Sequence, residues 1–377
     1  MASNDVEKFT EMNLNQMIED MKKLVEMESP SDRPDLLKAI SSTISEMIGE
    51  RLNIKAEVVE IEGSSPAIAA RNGNGGILFL CHYDTVHPAG TLEQIPFSVS
   101  DGIVRGPGIY DMKGGIVKTI WAIKYILSSL KKNIPFTVLI TPDEEVGSVK
   151  SLPILMREAK NSKVAIVMEP NLNGNIKKGR KGVADFRIQA RGIAAHAGVE
   201  PEKGASAILE LARAVISASR LQDIPKGTTL NVGIIRGGTA TNVVPEFAEA
   251  QIDVRVWTLE EFERVRKGLN AISGIDPRVT LSVSGGLNRP PMMPSAEGEK
   301  IFSRILRIAS ELGMQMDAIS VGGGSDGNII APIGIPVIDG MGMSGGGAHS
   351  RNEHADITNL PLEMEFLVRT ILEVSRI

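Results

Sequence analysis

A single cysteine, Cys81, stands among the 377 residues, so an intramolecular disulfide framework is excluded and stability must come from packing. Long apolar runs are also missing. The longest, such as ILFLC at 77 to 81, fall far short of the ~20 residues that a membrane-spanning helix needs. The opening segment MASNDVEKFTEMNLNQ is polar and lacks the apolar centre of a secretory signal. Nor is there an excess of basic charge: a formal net charge of -5 creates no field that would draw nucleic acid or an anionic membrane. Together these absences point to a soluble, cytoplasmic protein that handles small molecules or peptides, with no nucleic-acid and no membrane partner.

What is present is a set of five short clusters of metal-binding side chains. They are His82-Tyr83-Asp84, Asp111 within GPGIYDMKGG, the Glu144-Glu145 pair in TPDEEVGS, Glu169 in VMEPN, and His349 in GGGAHS. Two imidazoles and several carboxylates, with no thiolate nearby except Cys81, suit zinc or another divalent first-row metal; cobalt and manganese fit the same donors. An acid close to a ligating histidine commonly orients the ring, which is the role open to Asp84. Of two adjacent glutamates, one can bind metal while the other takes a proton from metal-bound water. His354, five positions after His349, is a rival ligand. His87 reads most simply as a surface or loop residue, and Cys81 as a small buried hydrophobe. His196, in RGIAAHAGVEP, either caps its own loop or reaches toward substrate.

Strand-length apolar runs recur at ILFLC (77 to 81), FTVLI (136 to 140), KVAIVM (163 to 168) and IPVIDG (335 to 340). A helical pattern, GGIVKTIWAIKYILSSL, begins at Gly114. This alternation predicts a mostly parallel sheet covered by helices, an α/β fold. In such sheets ligands gather beyond the carboxyl ends of the strands, where His82, Glu144, Glu145 and Glu169 fall. Between 180 and 289 the pattern becomes β-α-β-β-α-β, the split ferredoxin-like unit. A chain of 377 residues exceeds the roughly 250 to 300 that one core normally supports. The expected organisation is a catalytic metal-binding domain from 1-179 and 290-377, with a lid or dimerisation domain, 180-289, inserted into it.

Taken together, the ordered motifs HxD, D-x-K-G-G, DEE-x-G-S, E-P, GxxAHAG and a late histidine resemble the dinuclear zinc amidohydrolases. That family includes folate-cleaving glutamate carboxypeptidases, aminoacylases, acetylornithine deacetylases and succinyl-diaminopimelate desuccinylases. The segments RGIAAHAG, GGTATNVVP, DVRVW and LNRPP look most like the glutamate carboxypeptidase branch. The resemblance implies two Zn2+ per subunit, with Asp111 bridging, His82 and Glu169 on one ion, and Glu145 and His349 on the other. It makes Glu144 the general base, Asp84 the residue behind His82, and His196 a group that polarises the scissile carbonyl from the partner subunit of a homodimer. Asn242, Arg255, Arg289 and Gly324 would contact substrate. The expected activity is release of a C-terminal amino acid, glutamate foremost, from a small peptide. The alternatives are an N-acyl amino acid deacylase and, from another class, a metal-binding protein without turnover.

Overall fold

The computed structural model describes residues 5–377, so the first four residues of the polar opening segment lie outside the described residues. The chain divides into two compact units. The larger comprises the residues up to Gly179, Met293–Val321 and Ser325–Ile377; the smaller comprises Arg180–Met292 and Gly322–Gly324. The later crossing falls at Met292 because its backbone exchanges hydrogen bonds with Arg180, at 2.9 and 3.0 Å.

The larger unit is built on a six-stranded sheet in the order Glu57–Val59, Ala67–Asn72, Phe136–Thr141, Ile77–His82, Val164–Val167, Val337–Ile338. The last four strands run parallel, and the first two are added antiparallel. Strands Ile77–His82, Phe136–Thr141 and Val164–Val167 are buried along their whole length. That is why they read as unbroken apolar runs rather than as alternation. The core packs Phe79 edge-on to Phe136 and wraps the wholly buried Trp121 of helix Gly114–Lys124. Helices Asp5–Val25 and Pro34–Leu52 meet over Trp121: Asp20 accepts from its indole N–H at 2.8 Å and from Arg51 at 2.7 and 2.9 Å. Among the described residues, no helix is long and apolar enough to cross a membrane.

In the smaller unit, four antiparallel strands lie in the order Thr229–Gly237, Phe247–Val256, Gly182–Arg191, Thr280–Arg289. With helices Ala207–Ser219 and Leu259–Asn270 this is the β-α-β-β-α-β ferredoxin-like arrangement. Strand Phe247–Val256 alternates strictly, so Ala248, Ala250, Ile252, Val254 and Val256 face the core while Glu249, Gln251, Asp253 and Arg255 take the other face. Both helices start at a serine or threonine cap: Ser206 accepts from Leu209 N–H and Thr258 from Glu261 N–H, each at 3.2 Å.

Candidate metal centre

Three neighbouring parallel strands deliver His82, Glu144, Glu145 and Glu169 at their carboxyl ends. His82 is the last residue of Ile77–His82, opposite Thr141 in the parallel pairing. The turn Glu144–Val146 follows Phe136–Thr141, and Glu169 lies two residues beyond Val164–Val167. This is where open parallel sheets gather ligands.

His82 Nδ1 donates to the backbone carbonyl of Asp84 at 3.0 Å. A carbonyl can only accept, so the opposite ring nitrogen, Nε2, is left for a ligand. That Nε2 stands 3.2 Å from Asp111 Oδ1 and 3.4 Å from Glu169 Oε1. On the other side, His349 Nε2 lies 3.4 Å from Asp111 Oδ2 and 3.3 Å from Glu145 Oε2. Asp111 therefore gives one oxygen to each imidazole. Ligand atoms of His82, Asp111 and Glu145 fall within 4.8 Å of one another, as do those of His82, Glu144 and Glu169.

The donor set fits a divalent metal. Glu145 Oε1 is buried without a hydrogen-bond partner, a position that is costly for a carboxylate oxygen and natural for a ligand. Electrostatics agree. Burial disfavours a charged His82 ring, yet hydrogen bonds to Asp111, Asp84 and Glu169 raise its pKa well above the ordinary value. Contacts with Asp111 and Glu145 carry the His349 pKa up to about 10. Burial works against an ionised Asp111, but His349 and His82 hold it well below the usual carboxylate range. Burial raises the Glu145 pKa, partly countered by His349. A cation would take the place of protons on both imidazoles.

The Asp84 carboxylate does more than back His82. It is fully buried; Oδ1 accepts from Glu144 N–H and Oδ2 from Glu145 N–H, each at 3.1 Å, and Ser31 Oγ donates to Oδ2 at 2.7 Å. Its own nearest approach to the His82 ring is 3.4 Å, longer than that of its backbone carbonyl. The strand ends at His82, so the same-face geometry expected of an uninterrupted HxD does not continue to Asp84. Asp143 belongs to the turn, accepting from Lys150 and Ser151 N–H at 2.9 and 3.2 Å.

The glycines of DMKGG have a steric reason. A Cβ on Gly115 would meet the Met168 carbonyl oxygen at 2.4 Å, and one on Gly114 the Ile109 carbonyl oxygen at 2.6 Å. Helix Gly114–Lys124 thus starts pressed against the chain that leads to Glu169. Lys118, which sequence reasoning passed over, is buried on this helix. Its Nζ donates to the Gly342 carbonyl at 2.6 Å and to Glu363 at 2.8 Å, securing the chain that runs on to His349. The available signal was a lysine inside the apolar stretch IVKTIWAI. His354, the rival ligand, has its Nδ1 facing the Asn352 carbonyl at 2.8 Å. Cys81 is buried, as expected, with its thiol pKa pushed up to about 12 by burial. His87 lies in a loop, one of its two expected settings, but is buried there rather than at the surface, and is bonded to Glu353.

The remaining candidates belong to the smaller unit. A short ladder sets His196 opposite Val243, and Ala197 N–H donates to the Asn242 carbonyl at 2.9 Å, so His196 and Asn242 are neighbours, both exposed. Arg255 is gripped by Asp253, with bonds of 2.8 to 3.0 Å. Arg289 is buried against the glycine loop, where a Cβ on Gly324 would meet its Cδ at 2.8 Å. Arg180 donates to the carbonyls of Gly323 and Gly324 at 3.2 and 2.9 Å.

Fold and donor set together define an α/β metallohydrolase. Residues 78–373 match Peptidase family M20/M25/M40, and the chain belongs to this family. It is 31% identical over 311 residues to carboxypeptidase G2 of Pseudomonas sp. (strain RS-16), covering 80% of this chain and 75% of that one. It is 30% identical over 332 residues to a succinyl-diaminopimelate desuccinylase of Hydrogenovibrio crunogenus, covering 81% and 86%. Among solved structures, aminopeptidase PepT from Bacillus cereus superposes with a TM-score of 0.78 at 26% identity, over 96% of this chain and 98% of that one. The protein is thus an enzyme, a hydrolase of amide bonds, which sets aside the reading of a metal-binding protein without turnover.

Proposed function

We propose that the enzyme is a zinc-dependent exopeptidase that hydrolyses the amide bond to a C-terminal amino acid, in the manner of a glutamate carboxypeptidase. The observation that carries the metal part is Asp111, whose two oxygens face two imidazoles, each backed by a second carboxylate. In this reading His82, Asp111 and Glu169 hold one zinc, and Asp111, Glu145 and His349 hold the other. The pair of cations, when bound, supplies Lewis acidity that polarises the scissile carbonyl and brings a water toward neutral pKa. Glu144 accepts the proton of the attacking water and hands it to the amide nitrogen as the C–N bond breaks, releasing an amine and a carboxylate. Asp84 fixes the turn that carries Glu144 and Glu145 by accepting from both of their backbone N–H groups.

His196 is read as the donor that meets the developing oxyanion, from the partner subunit of a homodimer. Its Nδ1 accepts from Gly198 N–H at 3.1 Å, which leaves the ring proton on Nε2. The dimer reading is supported by exposed apolar side chains of the smaller unit. Ile208, Leu209 and Ile216 on helix Ala207–Ser219 are 44 to 57% exposed, and Ile234 and Ile235 on the edge strand are 41 and 58% exposed. Substrate contacts are assigned to Asn242, Arg255, Arg289 and Gly324. A substrate carboxylate would have to displace Asp253 from Arg255. A cytoplasmic setting belongs to the same reading, supported by the lone buried thiol, which asks for no oxidising compartment.

The deacylase reading retains one specific support, the similarity to the desuccinylase over 86% of that enzyme. A panel of dipeptides ending in glutamate, N-acetyl amino acids and N-succinyl amino acids separates the two. Glutamate-terminated substrates should show the highest kcat/KM, and a preference for N-succinyl compounds would move the enzyme to the deacylases. Zinc titration of metal-stripped protein should restore hydrolysis near two equivalents; full activity with one would remove the bridged centre.

A further inference from the structure

Glu353 is one of the most buried carboxylates in the protein, 1% exposed, and lies four residues after His349. Its Oε1 accepts from the backbone N–H groups of Tyr110 at 2.9 Å and Asp111 at 3.0 Å. Its Oε2 accepts from Gly108 N–H at 2.9 Å and faces His87 Nε2 at 2.5 Å. One carboxylate thus gathers three N–H groups from the loop that carries Asp111. The left-handed conformation of Gly108, φ +75°, helps turn those donors to one side, making a small anion-binding concavity that a side chain of the protein fills. The segment returns to it by tight turns, with Ser350 N–H bonded to the Gly347 carbonyl at 3.0 Å and Glu353 N–H to the Ser350 carbonyl at 3.2 Å. A single stretch of chain therefore presents His349 to the carboxylate of Asp111 and grips the backbone N–H of Asp111.

We propose that Glu353, oriented by His87, is a positioning residue that sets the aim of the Asp111 carboxylate between the two imidazoles, so that zinc affinity depends on it although it touches no metal. The inference rests on the reading of Asp111 as the ligand shared by two cations. The geometry supplies the reason. Asp111 serves both sides only if its backbone is fixed, and two of the three N–H groups that Glu353 binds belong to Asp111 and the residue before it. A glutamine at 353 keeps the shape but turns an N–H2 group toward backbone donors, so that at least one of these N–H bonds is lost.

The test uses the full-length enzyme and Zn2+ alone, with dissociation constants measured by competition against a chelating dye. Metal content, thermal midpoint, and kcat and KM at saturating zinc are followed in parallel. Glu353→Gln should weaken the more loosely held zinc by roughly 10- to 100-fold, and His87→Gln should act in the same direction by less. The loss of activity should fall on kcat, with KM little changed, and should shrink as zinc is raised. A folded Glu353→Gln enzyme with both zinc affinities unchanged overturns the proposal. Should that variant not fold, His87→Gln decides on the same readout, and unchanged affinity there overturns it equally. Asp111→Asn separates the two layers: if it keeps both zinc ions at full affinity, the shared-ligand reading itself fails. If Asp111→Asn loses zinc while Glu353→Gln does not, only the role of Glu353 falls.

Discussion

The two compact units hold their polar side chains in opposite ways. In the larger, His82, Asp84 and Glu353 are buried, and each is fixed by backbone groups as well as side chains. In the smaller, His196 sits exposed on a two-residue ladder, Asn242 is exposed just before the facing strand, and the His196 ring is held from within its own loop, by Gly198 N–H. The difference separates a centre whose geometry is set in advance by buried hydrogen bonds from groups left open to solvent.

The sharpest challenge to that contrast is Glu144→Gln. It should lower kcat by about 10²- to 10⁴-fold while metal content stays at the wild-type level, since only the base is removed. Steady-state kinetics with metal analysis checks this, and near wild-type turnover would take Glu144 out of the reaction. Next in size is His196→Ala, expected to cost roughly 10²- to 10³-fold in kcat with zinc affinity unaffected. Mixing its chains with Glu144→Gln chains should restore activity if His196 serves the neighbouring subunit. Recovery fails if each chain uses its own.

Asp84→Asn bears on the preset side of the comparison. One carboxylate oxygen that accepts from Glu144 or Glu145 is replaced by an N–H2 group, so zinc affinity or kcat should drop about 10- to 100-fold. Isothermal titration of zinc into the variant reads the first and initial rates the second; a silent substitution would mean that the turn holds itself. The last effect expected is a pH dependence of metal uptake, modest over a fraction of a pH unit. The His349 pKa is raised to about 10, so its ring carries a proton through the neutral range. The ion pairs of that charged ring with Asp111 and Glu145 are present at low pH and lost as pH rises through about 10. A cation needs the bare nitrogen, so zinc affinity should fall with falling pH, by about one decade per unit for each proton displaced. Titrations in buffers of different ionisation enthalpy count those protons, and zero release would contradict the assignment of His349.

Much of the larger sheet was legible in the chain. Strands Ile77–His82, Phe136–Thr141 and Val164–Val167 are buried on both faces, so sequence alone displays them as apolar runs. Strand Ala67–Asn72 escaped notice: its segment AIAARN ends in polar residues and it joins antiparallel, outside the repeating strand-helix pattern. The ferredoxin-like unit was legible because its strands alternate, as Phe247–Val256 does. Within the centre, the kinds of donor could be read from HxD, DEE and AHS, but the grip of Glu353 and His87 could not. Both look like ordinary loop residues until the tertiary fold buries them together.

The sequence by itself determined which candidate donors this protein owns, and that each lies just past a strand or in a glycine-rich loop, because strand length, alternation and turn chemistry are local properties. Only the tertiary structure decided that Asp111 divides its two oxygens between His82 and His349, and that the Asp84 carboxylate holds the Glu144–Glu145 turn while its carbonyl holds the ring. Those pairings depend on the lateral order of the strands and on backbone N–H groups brought from distant segments, which no spacing along the chain encodes.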